Sequence, residues 1–358
     1  MKRILAAMSG GVDSSVAAAI LRDQGNDLTG VTMKLYDSGD SGQCNPYTCC
    51  SENDIRDAMA VCAVLGIPYS VCDFRVSFEK TVIEPFISQY LKGRTPNPCI
   101  ECNRKLKFGA LVNKADELHC THIATGHYAR VREDPETGRI ILLRSLSPEK
   151  DQSYVLYGLT QETLKRVLFP LGEMTKDQVR QKAAEYGFSL ASKHDSQDLC
   201  FVDRNGYREF IEKHTGRTLS PGNFIDEEGH ILGRHRGIGA YTIGQRKGLN
   251  ISSSAPLYVK EIRTGSGDIV LSSEDRLYSD SCMVSDFNWI SGTAPGSPVS
   301  CTVKTRYTAR ETKASLFPEE PYLKVVFDEP QRAVTPGQSL VAYSGDEVLG
   351  GGIIESSS

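Results

Sequence analysis

The residues with the clearest chemistry form a glycine- and serine-rich loop near the N-terminus, Ser9-Gly10-Gly11-Val12-Asp13-Ser14-Ser15. An apolar run, Ile4–Met8, precedes this loop and an alanine-rich segment, Val16–Leu21, follows it. The pattern predicts a strand, a turn and a helix. Backbone N–H groups and a helix N-terminus at such a turn attract an anion. The loop therefore predicts a phosphate site, although it lacks the lysine of a Walker loop and the glycine spacing of a Rossmann loop.

Three cysteines form the second group with candidate chemistry. Cys99 and Cys102 share one Cys-x-x-Cys motif in a predicted loop at Gly93–Asn103, and Cys200 lies far away in sequence. We predict that Cys102 opens the helix at Lys105–Leu118, where the helix dipole lowers the pKa of a thiol. Sequence distance does not prevent Cys200 from contacting this motif in space.

Three roles are open for these thiols. They are structural, or Cys99, Cys102 and Cys200 together ligate an iron–sulfur cluster or zinc. The third role is a catalytic pair, in which one thiol carries sulfur and the other releases it by disulfide exchange. A single Cys-x-x-Cys motif is a weak zinc signal, so we favour the pair. Five cysteines in apolar runs are predicted to be small buried side chains: Cys62, Cys72, Cys120, Cys282 and Cys301.

Strands and helices alternate in the first half of the chain. The predicted strands after Ile4–Met8 are Leu28–Met33, Tyr69–Cys72 and Thr121–Gly126; the predicted helices are Glu52–Leu65, Phe78–Leu91, which contains Pro85, and Lys105–Leu118, and Asp37–Cys50 is a predicted loop. This alternation predicts an α/β domain with a parallel sheet, and ligands bind such a sheet at the carboxyl ends of its strands. The phosphate loop, Met33 and Gly126 all fall at such ends.

The chain changes character twice after this first domain. We predict domains at residues 1–204, 205–275 and 276–358. Closely spaced glycines and prolines predict little regular structure in the second domain. Short, evenly spaced strands in the third predict a β-barrel-like module. The three C-terminal serines, Ser356–Ser358, are predicted to fray.

Charge, apolar runs and cysteine content limit the kinds of protein that this chain can be. The 358 residues carry a net charge of −4, so nucleic acid must be bound by local patches and not by the whole chain. No apolar run is long enough for a membrane span, and the first run ends in the phosphate loop, so we expect no signal peptide. Eleven cysteines without a secretion signal favour the reducing cytoplasm. We expect a cytoplasmic monomer.

The loop at Ser9–Ser15 resembles the pyrophosphate loop (PP-loop) of ATP pyrophosphatases, which adenylate their substrates. Seven further motifs follow it in order: Thr95–Pro98, Cys102-Asn103, Thr125–Tyr128, Lys150–Tyr154, Thr242–Gly248, Lys304–Tyr307 and Thr335–Gln338. Together, over nearly the whole chain, they resemble the tRNA-specific 2-thiouridylase family. That family adenylates O2 of the wobble uridine of certain tRNAs and then replaces this oxygen with sulfur.

The resemblance implies a role for each matching residue. ATP contacts Ala7, Met8, Ser9, Gly10, Gly11, Val12, Asp13, Ser14, Met33 and Gly126. The target base contacts Asn97, Pro98 and Cys99. Cys102 is the nucleophile and Cys200 carries the persulfide. The tRNA contacts are His127, Lys150, Asp151, Gln152, Arg306, Tyr307 and Gln338. The first domain is then the ATP-binding catalytic domain, the second contacts tRNA, and the third is a β-barrel.

The resemblance also implies ATP with Mg²⁺, tRNA as substrate, and a sulfur-relay protein or cysteine desulfurase as donor. Many members have Asp where this chain has Cys99. Because a thiol has a pKa of about 8.5 and an aspartic acid one of about 3.9, Cys99 is a poor substitute in proton transfer and a good one as a soft ligand. The run Ser196–Cys200 also departs from the family pattern but retains the cysteine.

Two other functions stay open at this point. One is another adenylating enzyme built on the same loop, such as a 4-thiouridine enzyme or an amidotransferase-like synthetase. The other is an RNA-binding scaffold that carries metal or sulfur without turnover.

Overall fold

The fold comes from a computed structural model that describes residues 1–36, 52–190, 199–202 and 206–358. The loop predicted at Asp37–Cys50 lies outside these residues, as do Ser196, Gln197 and Asp198 of the run before Cys200. Of the helices in the described part of the chain, none combines the length and the apolar character that crossing a membrane requires.

The first half of the chain alternates strands and helices, as the sequence predicts. In chain order the elements are β1 (Arg3–Ala7), α1 (Val12–Asp23), β2 (Asp27–Lys34), α2 (Glu52–Leu65), β3 (Tyr69–Asp73), α3 (Arg75–Phe78), α4 (Glu84–Leu91), α5 (Pro98–Glu101), α6 (Leu111–Glu117), β4 (His122–Ala124), β5 (Ala129–Glu133), β6 (Ile140–Arg144), α7 (Gln161–Leu164), β7 (Val167–Leu168) and α8 (Lys176–Glu185).

Five of these strands form a parallel sheet in the order β3-β2-β1-β4-β7. Alternate residues of β1 point to opposite faces, so Leu5 enters one hydrophobic cluster and Ile4 the other. The sheet is thus buried on both faces, which confirms the α/β prediction. The strand order reverses between β1 and β4, and ligands bind doubly wound sheets at this crevice.

Two helices of this domain widen into π-helical segments. α3 continues through Glu79–Ile83 into α4, and α5 continues through Cys102–Ala110 into α6. Pro85 lies just beyond the first π segment, and because it lacks an N–H it cannot complete the regular hydrogen-bond ladder. The predicted helix that contains Pro85 is therefore widened just before the proline.

The central part of the chain contains more regular structure than we predicted. Its elements are α9 (Tyr207–Thr215), β8 (Gly222–Ile225), β9 (Ile231–His235), β10 (Tyr258–Arg263) and β11 (Asp268–Ser272). The strands form one sheet in the order β10-β11-β8-β9. Phe224, Val259 and Ile269, all fully buried, form its core. The prediction was wrong because glycines that mark turns between short strands resemble an irregular coil.

The last six strands close into a barrel, which confirms the predicted β-barrel. They are β12 (Tyr278–Trp289), β13 (Val299–Lys304), β14 (Thr312–Glu319), β15 (Tyr322–Arg332), β16 (Ser339–Ser344) and β17 (Glu347–Ser357). The ring runs β12-β15-β14-β13-β16-β17 and closes by pairing β17 with β12. The β5–β6 hairpin of the first domain extends this sheet at Glu347. The predicted fraying of Ser356–Ser358 was wrong, since Ser358 exchanges backbone hydrogen bonds with Ser281.

Gly126, which follows β4, packs closely against the start of α1. A Cβ at this position would lie 2.7 Å from the Ser14 nitrogen and 2.8 Å from the Asp13 carbonyl carbon. We expect Gly126→Ala to push the phosphate loop away, at a cost of about 1–3 kcal/mol in stability, and to weaken ATP binding. Thermal melts and ATP titration check this. Gly265→Ala is the matched control, because a Cβ there meets nothing within 4 Å; equal behaviour of the two variants would contradict the prediction.

Candidate active site

The loop between β1 and α1 has the shape of an anion site. Gly10 adopts a φ of +71°, and a Cβ there would lie 2.3 Å from the backbone oxygen of Asp54, so only glycine fits. The Ser14 hydroxyl accepts from the Ser9 backbone nitrogen at 3.1 Å and donates to the Gly11 carbonyl at 3.1 Å. These bonds fold the loop over the N-terminus of α1.

The remaining predicted ATP residues surround this loop at the switch point of the sheet. Met8 is buried and its backbone nitrogen donates to the Val31 carbonyl at 2.8 Å. Met33 is 7% exposed near the carboxyl end of β2, and Gly126 packs against the backbone of the loop itself. The structure therefore brings these residues together at the carboxyl ends of the strands, where the sequence predicts them.

Asp13, in the first turn of α1, is held by two side chains from distant parts of the chain. The Lys176 ammonium contacts both carboxylate oxygens of Asp13, at 2.8 and 2.9 Å. The Tyr128 hydroxyl donates to one of the same oxygens at 2.8 Å. Lys176 was not among the site residues predicted from the sequence. The available signal was a capping box at Thr175, which places a lysine in the first turn of α8, where the helix dipole disfavours a cation.

The segment with Cys99 and Cys102 becomes helical earlier than predicted. The Asn97 side chain accepts from the Cys99 backbone nitrogen at 3.2 Å, and Pro98 occupies the first helical position, so α5 begins at Pro98. The prediction that Cys102 opens the helix was wrong, because Cys99 occupies the first turn. Cys99 is exposed and Cys102 is buried at the start of the π segment.

Cys200 is partly buried and packs against the hydrophobic cluster that contains Cys102. The neighbouring Phe201 packs its ring edge-on against Phe78 at 5.7 Å and against Phe86 at 5.2 Å, which anchors this part of the chain. Both cysteines are thiols in the structure. Two thiolates on one zinc lie about 3.8 Å apart. Among the described residues only Asp226, Glu228 and His230 gather three ligand atoms within 4.8 Å, so the three cysteines do not form a preassembled zinc site.

Four of the other described cysteines have a pKa that burial raises. Burial raises the pKa of Cys62 to about 11 and that of Cys282 and Cys301 to about 12, and it also raises the pKa of Cys120. Cys72 is partly buried in the cluster that contains Cys102. A thiol that stays protonated is a poor nucleophile, in agreement with the structural role predicted for these four residues. The predicted burial is confirmed for Cys62, Cys120 and Cys282, whereas Cys72 and Cys301 are only partly buried.

Tyr307 projects beside the thiol segment. Its ring is 40% exposed and packs edge-on against the buried Tyr154 at 5.7 Å, while its hydroxyl donates to the Asp151 carbonyl at 3.3 Å. Burial raises the pKa of Tyr307, and the charges of Asp151 and Cys99 raise it further. Lys150 acts in the opposite direction. Tyr307 therefore lies close enough to Lys150, Asp151 and Cys99 for their charges to act on it.

Several predicted RNA contacts bind inside the protein. The Asp151 carboxylate accepts from the Ser153 hydroxyl at 2.8 Å, and the Gln152 side chain accepts from the Tyr128 nitrogen at 3.0 Å. The Arg306 guanidinium donates to the carbonyls of Ile243 and Ala333 and contacts Thr335. Arg306 therefore joins the central sheet to the barrel.

His127 is also buried. It shares a 2.8 Å hydrogen bond with the Thr125 hydroxyl and lies between the rings of Phe108 and Phe169. Burial, assisted by the charge of Lys107, places the pKa of His127 well below its usual range, so the ring is neutral.

The barrel clamps the segment that carries Cys99 and Cys102. Before α5, Arg94 pairs with Glu355 at 2.6 Å, and the Thr95 backbone bonds both to the Pro336 carbonyl and to the Gln338 side chain. After Cys102, Arg104 pairs with Asp286 at 2.6 Å. Each end of the segment is thus fixed by side chains from strands of the barrel or the turn between them.

Comparisons with known proteins agree with this arrangement. Models described as the tRNA methyl transferase HUP domain, the tRNA methyl transferase PRC-barrel domain and the aminomethyltransferase beta-barrel domain match residues 2–204, 208–273 and 279–354. The tRNA-specific 2-thiouridylase MnmA of Acetivibrio thermocellus is 49% identical over 356 residues, which are 99% of each chain. That of Clostridioides difficile is 45% identical over 357 residues, again 99% of each chain.

A solved 4-thiouridine synthetase in complex with RNA and ATP has 18% identity and a TM-score of 0.36, over 56% of this chain and 44% of that chain. The family assignment does not rest on this likeness.

The clamp should weaken in acid. Burial acts to raise the pKa of Glu355, but hydrogen bonds from Arg94 and Ser285 outweigh it and hold the pKa below the ordinary 4.5. A carboxyl whose pKa is depressed on folding adds stability above its ordinary pKa and loses it as the pH falls through the folded value. We expect Glu355→Gln to lower the melting temperature by about 1–3 °C at pH 7, and the difference from the parent to shrink as the pH falls below 4.5.

The control is Glu329→Gln, an exposed carboxyl on β15. It should melt like the parent protein at pH 7 and at the lower pH. A difference between parent and Glu355→Gln that is the same at pH 7 and near pH 3 would contradict the assignment of the clamp to this ion pair.

Proposed function

The chain belongs to the tRNA-specific 2-thiouridylase family of tRNA sulfurtransferases, and on this premise we propose that it adenylates O2 of the wobble uridine of a tRNA and exchanges that oxygen for sulfur. The observation that carries the proposal is the pairing of two sites in one domain. A phosphate loop lies at the switch point of the sheet, and the partly buried Cys200 packs against the hydrophobic cluster that contains Cys102.

ATP is proposed to bind at the switch point, with its phosphates on the loop from Ser9 to Ser14. The backbone N–H groups at the start of α1 favour a negative charge there. Mg²⁺ supplies charge neutralisation for the triphosphate when it is bound. Asp13 is the residue of the loop whose carboxylate suits a hard cation, and because Lys176 and Tyr128 already hold both of its oxygens, we place Asp13 as an indirect ligand.

The uridine O2 then attacks the α-phosphate and pyrophosphate leaves, which converts this oxygen into part of a good leaving group. A sulfur-relay protein or a cysteine desulfurase loads Cys200 as a persulfide. The terminal sulfur of the persulfide attacks the C2 carbon of the base, and AMP departs with the uridine oxygen. Cys102 attacks the inner sulfur on Cys200, so that the new C2–S bond stays with the base and a Cys102–Cys200 disulfide forms.

A second route delivers the same atom. Cys102 attacks the persulfide first and releases hydrosulfide, which then attacks the adenylated base. Both routes oxidise the two thiols to a disulfide, and both require an external thiol reductant to restore them. Exchange in either route needs the two sulfurs to approach each other, and we propose that Cys200 reaches Cys102 across the hydrophobic cluster against which it packs.

The tRNA is proposed to lie across the surface formed by Lys150, Tyr307 and the start of α5. An exposed aromatic ring stacks on a base that has left the anticodon loop, and Asn97, Pro98 and Cys99 adjoin the same surface. Five other residues that the resemblance assigns to tRNA are proposed to hold this surface in place: Arg306, Asp151, Gln152, Gln338 and His127. Their side chains already bind protein groups.

The two-thiol mechanism predicts that Cys102→Ser and Cys200→Ser each abolish 2-thiouridine, because a hydroxyl neither carries nor exchanges sulfur. ATP affinity should stay within about 2-fold of the parent, since neither thiol belongs to the phosphate loop. Mass spectrometry of tRNA nucleosides and ATP titration measure the two effects. Cys301→Ser, a thiol of the barrel whose pKa burial raises to about 12, is the control. Normal thiolation by either active-site variant would overturn this mechanism.

The same mass spectra separate the rival functions. A different adenylating enzyme would yield another modified nucleoside. A scaffold that binds RNA without turnover would release no pyrophosphate from a mixture of ATP and tRNA.

Cys99 distinguishes a cluster-dependent enzyme from a thiol-only enzyme. Cys99 is exposed and the three thiols are not preassembled in the structure, so we derive no step through a cluster. We expect anaerobically purified protein to thiolate tRNA without stoichiometric iron, and Cys99→Ser to retain activity. An iron assay with thiolation measured in parallel checks this. Iron bound in the parent, and lost together with activity in Cys99→Ser, would establish the cluster instead.

A further inference from the structure

We propose that Lys176 is a positioning residue of the ATP site, which neutralises Asp13 and fixes its carboxylate so that the loop accepts a triphosphate. The inference rests on the proposed function only in taking ATP as the ligand of the loop. It adds a role for α8, an element that none of the motifs in the sequence includes.

The ion pair is partly closed to water. Lys176 is 9% exposed as a residue, and the side chains of Lys176 and Asp13 are 10% and 30% exposed. The ammonium lies 2.8 and 2.9 Å from the two carboxylate oxygens, and the Tyr128 hydroxyl reaches one of them at 2.8 Å. The three residues come from α1, the loop after β4 and α8, so the contact is built by the fold and not by neighbours in sequence.

The local structure of α8 does not favour a buried lysine at this place. Lys176 is in the first turn of α8, where the dipole favours anions and not cations. Burial of an ammonium is costly unless a carboxylate pairs with it. The charge of Asp13 compensates both costs, so the position of Lys176 follows from that of Asp13.

Asp13 in turn needs a cation beside it. Its carboxylate lies in the first turn of α1, beside the N–H groups that are proposed to receive the phosphates. An uncompensated carboxylate there would repel a triphosphate, since two like charges a few ångströms apart interact by several kcal/mol near a protein surface. Lys176 cancels this charge. Tyr128, which follows the Gly126 contact with the loop, fixes the direction of the carboxylate.

The test is a double-mutant cycle that uses Mg²⁺–ATP as the probe, in the full chain and without tRNA. We expect Lys176→Met to weaken ATP binding on the order of 30-fold, because it leaves Asp13 uncompensated. Lys176→Arg should restore most of the affinity, since a guanidinium also pairs with a carboxylate. In the background of Asp13→Asn, the penalty of Lys176→Met should fall to about 3-fold or less.

Lys182→Met on the same helix is the matched control and should bind ATP like the parent. Calorimetric titration measures affinity, and circular dichroism confirms that each variant is folded. An unchanged affinity in Lys176→Met, or the same penalty with and without Asp13, would overturn the inference. Because these titrations contain no tRNA, failure of the cycle and failure of thiolation are separate results.

Discussion

The chemistry of this protein depends on where the segment from Arg94 to Arg104 is held, and the barrel holds it at both ends. Arg94 reaches Glu355 across 261 positions of sequence, and Arg104 reaches Asp286 across 182. The phosphate loop, by contrast, is fixed by the parallel sheet. Two bodies formed at opposite ends of the chain must therefore assemble before a thiol and a nucleotide can face each other.

This division explains why the barrel is more than a surface for substrate. Tyr307 lies three residues beyond the end of β13 and its hydroxyl donates to the Asp151 carbonyl, while the turn with Gln338 bonds to Thr95 directly. Any group that binds at Tyr307 thus has its position defined in the same frame as Cys99 and Cys102. Arg306, one residue earlier, faces inward and ties the central sheet to this frame. Of these two adjacent residues, Tyr307 is therefore proposed to contact tRNA, and Arg306 stabilises the protein around it.

The sequence predicted the local and periodic features well. The loop after β1, the parallel direction of the sheet strands and most barrel strands follow from the pattern of apolar residues and glycines, which acts over a few residues. It predicted poorly wherever distant groups decide the outcome. β12 was missed because its polar residues alternate weakly, and only pairing with both β15 and β17 makes it a strand. The start of α5 was misplaced because an N-capping side chain competes with the expectation that two prolines keep a loop extended.

The pairing of Asp13 with Lys176 belongs to the same class of missed features, and it bears on how an acidic chain binds polyanions. With 45 acidic and 41 basic residues, the whole protein offers no long-range attraction to ATP or RNA. Near the proposed site, however, the carboxylates are paired with cations: Asp13 with Lys176, Glu101 with Lys105, Asp286 with Arg104 and Glu355 with Arg94. An approaching phosphate meets compensated pairs and backbone N–H donors instead of bare carboxylates. Local pairing of charges thus lets the site bind anions although the net charge of the protein is negative. Because each cation except Lys105 comes from a distant part of the sequence, these pairs form only when the chain folds.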